Sequence, residues 1–129
     1  MNEPSWLNER MVAAFHENQI CLHGGLSGIE DENMLAASCA RPKHLFAYDN
    51  KATIFDLAAA YGYAFAKNHA FVDDNKRVGL VAVLTFLYLN GFLLKVPEME
   101  AVLVISRLAA SEETQESVSK WLAENSLKR

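Results

Sequence analysis

The sequence predicts an all-α fold: one compact single domain, 1–129, a bundle of about six helices around a central apolar helix. Three observations predict it. Apolar residues recur three or four positions apart in segment after segment. Ser, Thr, Asp or Asn stands ahead of several of these segments, where helices take their caps. Proline occurs only at Pro4, Pro42 and Pro97, and none falls inside an expected helix. A length of 129 residues fits one domain, and a hydrophobic content of 51% supplies a core without metals or disulfides.

The first helix is expected from about Ser5 to Asn18, with Trp6, Met11, Val12 and Phe15 near one stripe. "CLHGGLSGIED" carries three glycines and reads as a loop. Asp31 or a neighbour caps a second helix through "ENMLAASCAR". That helix is expected to end at Pro42, because proline disfavours helical geometry in the residue before it. "KHLFAYDNKA" then reads as a polar, aromatic connection. Thr53, with Asp56 three residues on, forms a weaker version of the capping box and opens "IFDLAAAYGYAFAKN", which ends near Asn68. Tyr61, Tyr63 and Phe65 sit there at helical spacing and read as core or rim. A fourth helix runs from near Asn75 to Asn90, with Gly91 suited to its C-terminal end. It is apolar nearly all round and is expected to be the central one. "GFLLKV" is a candidate extended segment, Pro97 opens "EMEAVLVISRLAA", and a last amphipathic helix holds "ESVSKWLAENSL".

The formal net charge of −4 argues against a dedicated nucleic-acid binder. Cys21 and Cys39 lack metal-ligand spacing and read as free, mostly buried thiols in a reducing compartment. The N-terminus shows no basic stretch followed by an apolar one. The longest apolar run starts at Val78 and is interrupted at Asn90-Gly91, short of the roughly 20 residues that span a bilayer. The expectation is a cytoplasmic protein without membrane contact.

Between the third and fourth helices lies "HAFVDDNKR", from His69 to Arg77. Asn75, Lys76 and Arg77 occupy the first turn of the fourth helix. A helix N-terminus carries partial positive charge and unpaired N–H groups, so two cations there are mildly unfavourable unless an anion joins them. Phosphates bind helix N-termini for this reason. Arg77 offers a planar fork and Lys76 a mobile point charge. Asp73 is placed to hold magnesium beside a phosphate. His69 can exchange a proton near neutral pH. Phe71 is an apolar residue in a polar loop and is expected to be buried as an anchor. Taken singly, Asp73 and Asp74 read better as helix caps, and Lys76 and Arg77 can be ordinary surface cations. His16, His23 and His44 lack such company and read as structural or surface residues.

The combination His-x-Phe-x-Asp-x-Asn-Lys-Arg resembles the signature of the Fic/Doc family, at His69, Phe71, Asp73, Asn75 and Arg77. "GGLSGIEDENMLAASCARP", "DLAAAYGYAFAKNH" and "FLYLNGFLL" are similar to the flanking segments of its death-on-curing branch, so the likeness covers roughly residues 20 to 95. The resemblance implies a small all-α bundle with the motif in a loop leading into a central helix. Fic AMP transferases usually carry glycine after the motif asparagine. Here it is Lys76, as in the death-on-curing branch.

That branch implies a toxin of a toxin–antitoxin pair: a protein kinase moving the γ-phosphate of ATP to a Ser or Thr hydroxyl of elongation factor Tu. The implied catalytic residues are His69, Asn75 and Arg77. Asn75, Lys76, Arg77 and Asp74 are implied as the ATP-binding residues, and Asp73 as the Mg2+ ligand. Asp74 departs from the family's usual Gly or Ala; its charge either opposes the phosphates or joins the magnesium site, and both alternatives stand. The alternative functions are Fic-type AMP transfer and a non-catalytic member that binds phosphate or antitoxin.

Self-inhibited relatives carry Ser/Thr-x-x-x-Glu-Gly/Asn. The Glu-Asn pairs at 17–18, 32–33 and 124–125 have Ala13, Gly28 and Lys120 at the Ser/Thr position. The resemblance therefore implies control in trans, by an antitoxin segment that folds onto the toxin.

Overall fold

The structure is a computed structural model and describes residues 1–129. Six helices and two short strands follow one another: α1 (Glu9–His23), α2 (Glu32–Tyr48), α3 (Ile54–Asn68), α4 (Asn75–Leu89), β1 (Phe92–Leu94), α5 (Glu98–Ala109), α6 (Gln115–Asn125) and β2 (Ser126–Lys128). The fold is all-α with one two-stranded antiparallel ribbon, in which Phe92 faces Lys128 and Leu94 faces Ser126.

The centre of the bundle is α3. Thr53 Oγ1 accepts the Asp56 N–H and Asp56 Oδ2 accepts the Thr53 N–H, so the capping box is complete. Alanine is the best helix former, and this helix is rich in it. Its small side chains let α2, α4, α5 and α6 all pack against it. Nine of its fifteen residues are buried, including Leu57, Tyr61 and Phe65. The expected central helix α4 shares this core with α3: eight of its fifteen residues are buried, and it packs on α1, α3, α5 and β1. Helix α4 lies beside α3 and leaves Leu84, Tyr88 and Leu89 exposed.

The two helices meet through glycines. A Cβ on Gly62 would stand 2.9 Å from Val83 Cγ2, and one on Gly79 would stand 3.4 Å from the Gly62 carbonyl oxygen. Tyr61 ties the N-terminal segment to this core. Its hydroxyl accepts the Leu7 N–H at 3.0 Å and faces the Leu7 carbonyl at 3.4 Å. Burial pushes the phenol well above its ordinary pKa.

Five expectations from sequence are revised. Helix α1 begins at Glu9, because Asn8, not Ser5, caps it by accepting the Met11 N–H. Ser5 is instead held outside the helix, with its N–H and C=O both bonded to the Asn90 amide. The same helix runs on to His23 and stops where Gly24 takes φ 78°. Helix α2 passes straight through Pro42 to Tyr48, so "KHLFAY" is helical and not a connection. Proline forfeits one backbone hydrogen bond. Burial outweighs that loss: Leu35, Ser38, Cys39 and Pro42 form one buried stripe, continued by the core-packed Leu45 and Phe46. Strand β2 takes the last residues that were read as helix, pairing them with the extended "FLL". Of the two free thiols, Cys39 is buried but Cys21 is exposed.

Gly62→Ala is expected to lower stability by about 1 kcal/mol in urea unfolding, because the overpacking cost exceeds the gain in helix propensity. Gly79→Ala, which meets only ordinary contacts, is expected to be neutral or mildly stabilising. In thiol labelling of the native protein, Cys21 reacts and Cys39 does not. Burial raises Cys39 from 9.0 to about 11. The unfolded chain therefore releases this proton first, and stability falls as pH rises from 9 towards 11.

Candidate active site

The segment between α3 and α4 is held at almost every residue. His69 leaves α3 in a left-handed conformation (φ 47°, ψ 51°) that turns the chain away and leaves the imidazole exposed. Ala70 is buried, and its carbonyl accepts the N–H groups of Glu30 and Asp31 at 2.9 and 3.2 Å. Phe71 is buried, as expected, and forms an isolated antiparallel bridge with Ile29. The Val72 N–H donates to the Gly28 carbonyl at 3.1 Å. The glycine loop between α1 and α2 thus lies along the motif like a strap.

Asn75 closes the turn from the other side. Its Oδ1 accepts the Phe71 N–H at 3.0 Å and its Nδ2 donates to the Phe71 carbonyl at 2.9 Å. The side chain is buried, so its first task is to hold the loop's own backbone. His16, from α1, adds a contact that sequence reasoning missed. Its ring stacks on Phe71, with centroids 4.2 Å apart and planes 10° from parallel. Its Nε2 lies 3.0 Å from the Asp73 carbonyl oxygen. The available signal was its position four residues after Val12, on the buried face of α1.

Charged side chains surround the start of α4. Asp73 is exposed; its Oδ1 accepts the Asp74 N–H at 2.9 Å, and the Leu26 N–H approaches its Oδ2 at 3.4 Å. Gly25 is required for that approach. Its φ is 118°, and a Cβ there would stand 2.9 Å from Asp73 Oδ2. Asp74 occupies the N-cap position of α4 but makes no capping bond, because it too is left-handed (φ 62°, ψ 26°). Its Oδ1 instead accepts from Arg77 Nη1 at 3.2 Å, and its Oδ2 is buried without a partner. Helix α4 consequently starts with free N–H groups, the anion-binding end of a helix.

A cleft of about 500 Å³ brings these groups together. His69, Asp73, Asp74, Asn75, Lys76 and Arg77 all line it, with Ala66, Val72, Val102 and Ser106. All six polar residues singled out from the sequence therefore share one cavity. A second, more apolar groove of about 600 Å³ shares Arg77 and Val102 with it and is floored by Leu22, Leu80, Leu84 and Val96. The cleft can hold a multiply charged anion against α4, with one exposed carboxylate and one exposed imidazole at its edge.

The model of the Fic/DOC family matches residues 6–87. The chain belongs to the Fic/Doc family. Within that family it is similar to the protein named "Protein kinase doc" of Escherichia phage P1, with 37% identity over 80 residues, 62% of this chain and 64% of that protein. It is also similar to "Toxin Doc" of Mycolicibacterium smegmatis (strain ATCC 700084 / mc(2)155), with 41% identity over 69 residues, 53% of each chain. The matches thus span between half and two thirds of those relatives. The matched family region contains both the His69–Arg77 segment and His16. No helix of this Fic/Doc chain is long and apolar enough to cross a membrane.

Asp74→Gly is expected to stabilise the folded protein by about 1 kcal/mol. It removes a strained φ and a buried unpaired oxygen, and it forfeits only an ion pair of the partly exposed kind. Chemical denaturation of the two proteins measures it.

Proposed function

We propose that this protein is a Doc-type toxin: a kinase that transfers the γ-phosphate of ATP to a Ser or Thr hydroxyl of elongation factor Tu. The observation that carries the reading is the uncapped N-terminus of α4. Lys76 and Arg77 project there beside free N–H groups, in one cleft with His69. The names of the two relatives, a kinase and a toxin, support it.

The residues fit the groups this chemistry uses. Asp73 is a single exposed carboxylate, the kind of ligand magnesium takes when phosphates and water complete its shell. No cluster of three His, Cys, Asp or Glu side chains forms a metal cage of its own. Lys76, Arg77 and the α4 N–H groups would bind phosphate oxygens. Magnesium-bound ATP supplies the transferable phosphoryl group and leaves ADP as the product.

His69 acts as general base. From its place at the cleft edge its neutral imidazole takes the proton of the acceptor hydroxyl as that oxygen attacks phosphorus. Arg77 stabilises charge on the equatorial oxygens, and its fork must release Asp74 to do so. Asp74 in this reading opposes nucleotide binding by competing for Arg77. Lys76 fills the space that a glycine leaves open in AMP transferases, which favours terminal phosphate transfer. Regulation comes from an antitoxin segment that lays an apolar face into the second groove, over Leu22, Leu84 and Val102.

Incubation with elongation factor Tu and labelled ATP tests the reading. Label at the γ-position is expected on the target and label at the α-position is not; the reverse pattern establishes AMP transfer. His69→Ala and Arg77→Ala are each expected to lower the rate by about 100-fold or more. No transfer by the unmodified protein, with both variants equally inert, refutes the enzyme reading and leaves a binding protein.

A further inference from the structure

We propose that His16 is a positioning residue: it fixes the Asp73 carboxylate by holding the peptide group that joins Asp73 to Asp74. The magnesium role of Asp73 in this inference rests on the function proposed above. The positioning itself rests on geometry alone.

The peptide group between Asp73 and Asp74 is one rigid plane, with the Asp73 carbonyl at one end and the Asp74 N–H at the other. His16 Nε2 lies 3.0 Å from that carbonyl oxygen. A carbonyl only accepts, so Nε2 carries the proton and donates it. At the other end of the same plane, the Asp74 N–H donates to Asp73 Oδ1 at 2.9 Å. Rotation of the plane would therefore break both bonds and release the carboxylate. His16 itself cannot follow. It is 1% exposed, and its ring is clamped face to face on Phe71.

The plane has a reason to rotate. Asp74 sits at φ 62°, a conformation that costs any residue with a Cβ. Flipping the peptide between Asp73 and Asp74 is the simplest motion that returns Asp74 to negative φ. The His16 hydrogen bond opposes that flip. It couples α1, which contributes no charged group to the cleft, to the carboxylate at the cleft edge. The Asp73 contacts made elsewhere are weaker holds: the Leu26 N–H is at 3.4 Å, and the carboxylate is otherwise open to solvent.

Two substitutions separate the hydrogen bond from the packing. His16→Phe keeps an aromatic ring on Phe71 and removes the donor. His16→Gln keeps a donor at the place of Nε2 and removes the ring. Amide hydrogen exchange, measured by nuclear magnetic resonance without metal or nucleotide, reads the peptide directly. Exchange at Asp74 is expected to speed about tenfold in the Phe variant, the scale of one lost hydrogen bond, and to stay within about threefold of wild type in the Gln variant. Amides in the middle of α3 are expected to be unchanged in both.

Binding of Mn2+ alone, followed by its paramagnetic broadening of nearby resonances, is expected to weaken in the Phe variant and not in the Gln variant. In the transfer assay the Phe variant is expected to need about tenfold more Mg2+ with kcat at saturating Mg2+ little changed. Wild-type exchange and metal binding in the Phe variant overturn the proposal. So does a Gln variant impaired as much as the Phe variant, since loss would then follow packing and not the donor. If the Phe variant does not fold, the Gln variant decides: Asp74 exchange near the wild-type rate supports the proposal, and a tenfold increase overturns it. If the wild-type protein transfers no phosphate, the kinase reading fails, while exchange at Asp74 still decides the role of His16.

Discussion

The close approach of α3 and α4 at Gly62 and Gly79 is the contact on which the candidate site depends. A Cβ on Gly62 would press on Val83, so a larger residue there would push the helices apart, while Gly79 lies in ordinary contact distance of the Gly62 carbonyl. The end of α3 and the start of α4 are joined only by residues 69–74. With the helices this close, the linking segment can fold back far enough for the Asn75 amide to grip both backbone groups of Phe71. The buried Phe71 ring then continues the core into the loop, and the strap of Gly28, Ile29 and Glu30 pairs along it. A segment full of charged residues is thereby as well held as an interior one.

The charge arrangement at α4 runs against what stability alone would choose. Helices α1, α2, α3 and α6 have side-chain caps from Asn8, Asp31, Thr53 and Thr114; α5, opened by Pro97, and α4 have none, and only α4 carries cations instead of carboxylates in its first turn. A cap contributes about 1 kcal/mol, and cations at this end work against the helix dipole. Asp74 has the right chemistry and the right position to cap. Its left-handed backbone sends the carboxylate to Arg77 instead and leaves one oxygen buried without a partner. Local conflicts of this sort concentrate at functional sites. A phosphate against the α4 N–H groups, Lys76 and Arg77 would satisfy the helix end and the cations together.

Much of this was legible in the sequence where short-range chemistry decides. Thr53 and Asp56 announced a capping box that the structure completes, and Asn75 and Gly91 marked the limits of α4. The six polar residues picked out between His69 and Arg77 do share one cleft. What was not legible depends on partners distant in the chain. Pro42 reads as a stop because proline weakens a helix locally; the buried stripe from Leu35 to Phe46, which carries α2 through it, is decided by packing on α3. Strand β2 exists because β1 offers it an edge. Asn75 is expected at the cleft and lines it; that both ends of its amide also grip Phe71 depends on how the loop folds back. His16 looked isolated because its company, Phe71 and Asp73, lies more than fifty residues away.

Control of the site also follows from geometry. The polar cleft and the apolar groove share Arg77 and Val102, so they are two ends of one depression. In the proposed function the groove takes an antitoxin segment, and any segment that fills it comes to rest against the arginine. Arg77 already has a competitor within its own helix turn, the partly exposed pair with Asp74, which holds it only weakly. A second competitor delivered through the groove would find the guanidinium half-exposed and free to turn. Under the proposed function, apolar contacts of such a segment on α4 and α5 would be coupled to occupancy beside Arg77.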